Sequence, residues 1–345
     1  MEFITEYGLF LAKTATFVVA VVIIVGVLAG LGGRVRKHHT RGELEITHLN
    51  EIMDDMGNAL HGAMLDPSEQ KQLKKQKKKE DKATKKASKK APSEKKRVFL
   101  LDFKGDMKAS AATNLREEIT AVLSQANEKD EIVVRLESAG GMVHSYGLAS
   151  SQLDRIKKKG IPLTVCVDKV AASGGYMMAC VADKILAAPF SILGSIGVVA
   201  QLPNFNRLLK KHDVDVELHT AGEHKRTLTM FGENTDEGRE KFVEDLEDTH
   251  ELFKDFVSQH RESVDINAIA TGDIWLGTRA KELSLVDELM TSDEYIVDLS
   301  AGANIYEVKY AHHKTLPEKV GLAAESSADR LLLRWWNRLS AKRFS

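Results

Sequence analysis

The sequence predicts an α/β domain with much parallel strand pairing, set behind an apolar N-terminal segment and a lysine-rich stretch. Three observations predict it. Apolar runs at 98–103, 132–136 and 162–167 have the length and continuity of strands buried on both faces. Helical stretches at 113–127 and 142–158 separate them, the first with Leu115, Ile119, Val122 and Leu123 on one face. Strand and helix then keep alternating, which is the pattern of a sheet closed by crossover helices.

The chain has 345 residues, enough for one large α/β domain with appendages. Its 49 basic and 50 acidic side chains nearly cancel, so total charge selects no class of partner. Charge distribution says more. From 14 to 33 no residue is charged, and the run reads TFVVAVVIIVGVLAGLGG at its core. That length matches the roughly 20 apolar residues that cross a bilayer. The run also lacks the polar face that a helix of a soluble domain carries. A transmembrane helix is therefore predicted over 14–33, after a short N-terminal segment at 1–13. A cleaved signal peptide fits less well, because its apolar region spans about 7–15 residues behind a basic start. Here Glu2 and Glu6 precede the run. Lys13 alone lies before the span, whereas Arg34, Arg36, Lys37 and Arg41 follow it. The positive-inside rule then places the later domain in the cytoplasm of a single-pass inner-membrane protein. The two cysteines, Cys166 and Cys180, sit in apolar runs without a C-x-x-C pattern, and two buried free thiols are expected.

Residues 34–67 form a juxtamembrane segment, with a short amphipathic helix predicted inside 43–66. Residues 68–97 are a lysine-rich linker that cannot bury a core. Its charge suits contact with anionic lipid, worth about 1 kcal/mol per basic residue at the surface. No aromatic residue interleaves its lysines, which speaks against nucleic acid as a partner. The folded domain is read over 98–310. Further strands are expected at 184–188, 196–200 and 215–219, and a long polar helix over 236–262. The apolar stretch 185–202 is broken by Pro189, Ser191, Gly194, Ser195 and Gly197, so it reads as buried sheet and not as a second span. Residues 311–345 carry an amphipathic basic helix with Leu331, Leu332, Trp335 and Trp336 beside Arg330, Arg334 and Arg338. Such a helix suits the domain itself, a neighbouring subunit or the bilayer interface.

Chemistry concentrates in two glycine-rich stretches. In Ala171-Ala172-Ser173-Gly174-Gly175-Tyr176, small residues crowd a serine at a strand-to-helix junction. Free backbone N–H groups at a helix start can hold an oxyanion, although a serine there also serves as an ordinary N-cap. In Ser138-Ala139-Gly140-Gly141, a glycine pair follows a predicted buried strand, where ligands of α/β sheets bind. Neither a G-x-G-x-x-G nor a Walker pattern is present, nor the G-x-S-x-G elbow, nor an HExxH metal motif. A nucleophilic serine needs a base. His144, His212, His219, His224, His250 and His260 follow Ser138, but none stands in a constrained context. Lysine is the alternative, provided that it is buried enough to be neutral. Lys225, between Gly222 and a Thr/Met/Phe stretch, is the candidate; most other lysines lie in exposed helices or in the linker.

These residues resemble the S49 peptidases, the signal peptide peptidase A group, in an inner-membrane type with an N-terminal anchor and a lysine-rich linker. The resemblance runs from about 98 to 289. Its markers are Ala172-Ser173-Gly174-Gly175-Tyr176, Gly194-Ser195-Ile196-Gly197-Val198, Lys225, and the run from Trp275 to Leu283 that ends in Leu285-Val286-Asp287-Glu288. The resemblance implies a ClpP/crotonase-like fold and a serine endopeptidase with a Ser/Lys dyad. Ser173 matches the nucleophile, Lys225 the general base, and Ser195 a serine that holds the lysine. Gly140 or Gly141, with Gly174, matches the oxyanion donors. Ala139 departs from the proline that relatives often have before the glycine pair. The resemblance also implies peptide or protein substrates, membrane-associated or signal-peptide-like, a homo-oligomer, and no metal or organic cofactor. Two other classes remain distinguishable: a crotonase-like acyl-CoA enzyme and a non-catalytic membrane scaffold, neither of which would require Ser173 or Lys225.

Overall fold

The computed structural model describes residues 13, 16, 42–66, 95–222 and 224–311. Apart from Thr16, the transmembrane segment expected at 14–33 lies outside the described residues, as do almost all of the lysine-rich linker and the C-terminal basic helix beyond Ala311. Among the described residues no helix is long and apolar enough to cross a membrane. Glu45–Tyr310 form one compact unit.

A seven-stranded sheet runs through that unit in the order β1-β10-β2-β3-β4-β6-β9. Its members are β1 (Glu43–His48), β2 (Lys96–Lys104), β3 (Glu131–Glu137), β4 (Leu163–Val167), β6 (Lys184–Ala187), β9 (Glu288–Leu289) and β10 (Ala303–Ala311). From β10 to β9 every neighbouring pair is parallel. Parallel strands need crossovers, and helices supply them. α2 (Ala112–Leu123) joins β2 to β3, and α3 (Val143–Lys157) joins β3 to β4. β3 pairs with β2 on one side and β4 on the other, and Ile132, Val133 and Val134 are fully buried. That two-sided burial explains why these strands read as continuous apolar runs.

Side chains alternate across the sheet. Val98, Leu100, Val133, Cys166, Leu186 and Ile305 face one core, covered by Ile296 of α9 (Ser292–Ser300). Leu49 and Met53 of α1 (Leu49–Met64) pack on the same core. Asn50 fastens α1 there: its amide donates to the Ser300 and Ala303 carbonyls and accepts the Ile305 N–H. The amphipathic helix expected within 43–66 is thus present, but a strand at the sheet edge precedes it. On the opposite face α2 packs against α3, and α3 against α4 (Gly174–Ala179). Both cysteines are free and buried, as expected, and burial pushes each thiol up to about 12.

A second sheet of three strands, β5-β7-β8, sits beside the first. It contains β5 (Val170–Ala172), β7 (Ile192–Gly194) and β8 (Ile274–Leu276). The strand expected at 196–200 lies instead at β7, because Ala171 and Ala172 need Leu193 and Gly194 as register partners. The strand expected at 215–219 does not form; those residues are exposed and unpaired in the sheets. Among the described residues between β7 and the long helix α6 (Asp236–His260) stands one short helix, α5 (Asn206–Lys211). α6 ends two residues short of the predicted boundary at 262. α7 (Ile266–Ile269) and α8 (Gly277–Glu282) complete the unit.

Candidate active site

The site is assembled where β3 and β5 end, which is where α/β sheets expose free backbone groups. Ser138 closes β3 and bridges to β5: its N–H donates to the Val170 carbonyl at 2.8 Å, and its carbonyl accepts the Ala172 N–H at 3.0 Å. This draws the glycine loop of β3 against the residue that precedes Ser173. Gly140 lies so close that a Cβ there would stand 2.7 Å from the Gly174 nitrogen and 2.7 Å from Ser173 Cβ. With φ at +90°, Gly140 also occupies backbone space that L side chains avoid.

Ser173 begins α4 with φ 52° and ψ −120°. That left-handed conformation is costly for a residue with a Cβ, by about 1–3 kcal/mol, and survives only where surroundings enforce it. The enforcing contacts are visible. The Ser173 N–H donates to the Gly194 carbonyl at 2.7 Å, and its own carbonyl accepts the Met177 N–H at 3.0 Å. The serine side chain makes no capping hydrogen bond to α4. The N-cap role that the sequence left open for it is therefore not the one it performs. Ser173 lines a cavity of about 360 Å³.

Gly141, Tyr146 and Gly174 line that cavity together with Leu252, Phe253 and Phe256 of α6. The walls are thus mostly apolar, suited to an apolar side chain or an extended peptide. The two glycine stretches that the sequence singled out meet here. They are not equivalent as donors. The Gly140 N–H is already spent on Ser138 Oγ at 3.1 Å. Among the described residues, neither the Gly141 nor the Gly174 N–H has a bonded acceptor.

Ser195 follows the end of β7, whose Gly194 is in register with Ala172. It too has positive φ, 52°, and its N–H donates to the Asp273 carbonyl at 2.6 Å. The second sheet thus carries Ser173 and Ser195 on adjacent strand ends.

Lys225 behaves differently. It lies in a turn, its N–H donating to the Gly222 carbonyl at 3.2 Å, and its side chain is exposed. It is not among the residues that line the cavity. The burial expected for it is not found in the single chain. His144 and His224 are exposed as well. Among the described residues the cavity lining contains no lysine, histidine, aspartate or glutamate. No group of His, Cys, Asp or Glu among the described residues could hold a metal ion.

Two contributions escaped the sequence reading. The α6 wall was visible only as Leu252, Phe253 and Phe256 recurring on one side of an otherwise polar helix. Tyr146 falls inside the helix predicted over 142–158 with nothing in the sequence to single it out, yet its ring packs on Gly174 so closely that a Cβ there would overlap it.

Two family models match the chain: Peptidase family S49 N-terminal over residues 2–153, and Peptidase family S49 over residues 155–306. The Probable protease SohB of Haemophilus influenzae is 50% identical over 344 residues, covering 97% of this chain and 96% of that protein. The Probable protease SohB of Buchnera aphidicola subsp. Acyrthosiphon pisum is 46% identical over 334 residues, covering 97% of this chain and 98% of that protein. Among solved structures, a mutant of the 1510-N membrane-bound stomatin-specific protease with a substrate peptide aligns at 12% identity and a TM-score of 0.41, covering 66% of this chain and 96% of that chain. The chain belongs to peptidase family S49 and, within it, to the SohB type.

Proposed function

We propose that this S49 protease is a membrane-anchored serine endopeptidase of ClpP/crotonase-like architecture, with Ser173 as nucleophile and Lys225 as general base. The observation that carries the reading is the geometry of Ser173. It is held at positive φ at the start of a buried helix, without a capping bond, facing an apolar cavity between two glycine stretches. Backbone strain of that kind clusters at active sites.

In the proposed reaction, neutral Lys225 takes the Ser173 hydroxyl proton as Oγ attacks the peptide carbonyl carbon. The Gly141 and Gly174 N–H groups hold the resulting oxyanion. Of the two loop glycines matched by resemblance, Gly141 is favoured, because the Gly140 N–H already has an acceptor. The protonated lysine gives its proton to the leaving amine, an acyl-serine remains, and water attacks it to release the acid. Ser195 orients the lysine. No metal or organic cofactor enters.

The base has to reach a cavity that has none of its own, and assembly of copies is the proposed means. The segment with Lys225 leaves Val214, Val216 and Leu218 exposed at alternate positions. That is the period of a strand lacking a partner, and a neighbouring copy would supply one. The apolar cavity walls suit membrane-associated or signal-peptide-like substrates. Residues 14–33 anchor the chain in the inner membrane, the flanking charge places the domain in the cytoplasm, and the lysine-rich linker lies along anionic lipid.

Labelling with a serine-reactive phosphonate tests the reading. The assembled parent should label, and Ser173→Ala and Lys225→Ala should not. Labelling that survives Ser173→Ala would move the nucleophile elsewhere and reopen the crotonase-like alternative.

A further inference from the structure

Tyr146 and Ser138 form a buried polar chain whose direction can be assigned. The Tyr146 hydroxyl donates its single proton to the Asp106 carbonyl at 2.8 Å. The 2.5 Å contact between Ser138 Oγ and Tyr146 Oη must then have the serine as donor. Ser138 Oγ accepts in turn from the Gly140 N–H at 3.1 Å. The run is therefore Gly140 N–H to Ser138, Ser138 to Tyr146, and Tyr146 to the loop after β2. Both side chains are buried, Ser138 at 2% exposure and Tyr146 at 0%. Burial also raises the Tyr146 pKa, against the hydrogen bond from Ser138, so the phenol keeps the proton it donates.

The acceptor end is itself fixed. Asp106 Oδ1 takes the Lys108 and Ser110 N–H groups and closes its loop, and the neighbouring Met107 carbonyl takes the Met142 N–H at 2.9 Å. The glycine loop is thus held from both sides: Gly140 through Ser138, and Met142 through Met107. Gly141 lies between them. At the same time the Tyr146 ring packs on Gly174.

We propose that Tyr146, acting through Ser138, is a positioning residue that fixes both oxyanion donors relative to Ser173. Its hydroxyl holds Ser138 Oγ, which takes the Gly140 N–H and so sets the Ala139–Gly140 peptide just before the Gly141 donor, and its ring sets the start of α4. This rests on the serine-peptidase reading above. Donors aimed at an oxyanion act only in the transition state, so a loosened loop should lower kcat and leave KM in place.

The test uses the full-length assembled protein, an internally quenched peptide rich in leucine and valine, and phosphonate inactivation as a second readout. Tyr146→Phe keeps the ring and removes the hydroxyl; Ser138→Ala removes the middle link. Each should lower kcat by roughly 10- to 100-fold with KM within about twofold. The double variant should be no slower than the slower single, because both break one chain. Ile156→Val, on the buried face of the same helix and away from the cavity, should lower the melting temperature and keep parental kcat. If Ser138→Ala does not fold, Tyr146→Phe alone decides. Parental kcat in Tyr146→Phe, or a rise in KM with kcat unchanged, would overturn the proposal. Parental turnover in Ser173→Ala would instead remove the reading beneath it.

Discussion

The segment around Ser173 and the segment around Lys225 are built in opposite ways. Ser173 has backbone bonds to β7 and α4, glycines on two sides, and a cavity in front of it. Lys225 has one turn bond and an exposed side chain, in a stretch whose apolar residues Val214, Val216 and Leu218 are exposed too. One chain preorganises the proposed nucleophile and the proposed oxyanion donors. It leaves the proposed base in a turn, with its side chain exposed. Preorganisation is thermodynamically expensive at the serine, where positive φ must be maintained. On the proposed reading, the exposed segment adds no such strain until a neighbouring copy docks on it, and activity would then depend on docking.

The sharpest way to break this comparison is to change the base and leave the docking intact. Lys225→Arg keeps the charge and length but cannot give up a proton. The proposal expects peptide cleavage to fall on the order of 10³-fold, within the range of a lost general base. Size-exclusion elution of the variant in detergent should match that of the parent. Parental turnover in a correctly assembled Lys225→Arg protein would sever the two regions functionally. His144 or His224 would then be examined as the base. The parent should also lose specific activity on dilution, since a base supplied by assembly is lost with it; activity independent of concentration would oppose that part of the reading.

How much of this was legible in the sequence follows the same division. β2, β3 and β4 were readable because burial on both faces leaves no polar alternation to confuse the signal. The bounds of α2, α3 and α6 fall within a few residues of those the sequence suggests, apart from the C-terminal end of α2. The serine was visible through the small residues that its close packing demands. The short strands were not. β7 has three residues, and its position is set by pairing with β5 and β8, which are distant in sequence. Residues 215–219 alternate like a strand, but alternation states a preference and not a partner. Tyr146 was invisible for a related reason: its role arises from Asp106, Ser138 and Gly174, which only the fold brings to one place.

A smaller effect is expected at the glycine loop. Gly140→Ala puts a methyl against the Gly174 nitrogen and the Ala172 carbonyl, both backbone atoms, at a φ of +90°. Neither neighbour can rotate away. Stability should fall by about 1–3 kcal/mol, read as a lower denaturation midpoint. Phosphonate labelling of the folded fraction should slow by roughly 100-fold, as for a displaced oxyanion donor. Gly222→Ala, at φ +99° beside Lys225 but with only the Lys225 Cβ within 4 Å, meets the same backbone penalty without the clash. It should lower stability less. Equal losses at the two positions would show that the Ser173 region is no more tightly built than the Lys225 region.

The smallest effect concerns the scaffold behind both regions, and it is a change of slope with pH. Glu118 of α2 is 5% exposed. Its Oε1 accepts the Tyr310 N–H at 2.8 Å, while Oε2 is buried without a hydrogen-bond partner among the described residues. Burial raises its pKa from 4.5 to about 7; the Tyr310 N–H and the Lys309 charge oppose the rise, and Asp102 adds to it. A carboxyl whose pKa is higher folded than unfolded contributes stability that is fully present below about 4.5 and is lost as pH rises through about 7. The gap corresponds to about 3 kcal/mol at most. Asp102 has the opposite sign. Burial pushes it up, but the Arg135 and Lys309 hydrogen bonds and charges outweigh burial and hold it low. Its contribution is therefore lost only in acid below the ordinary carboxylate range, and the two windows do not overlap. Glu118→Gln keeps an oxygen for the Tyr310 N–H and cannot ionise. Chemical denaturation between pH 4.5 and 8 should show a parental decline in stability with rising pH that the variant lacks. Since Glu118 does not line the cavity, phosphonate labelling at pH 8 should proceed at the parental rate in the variant. A parental pH slope in Glu118→Gln would assign the titration to another group. Slower labelling would mean that the sheet and the Ser173 region are coupled in a way their separate contacts do not require.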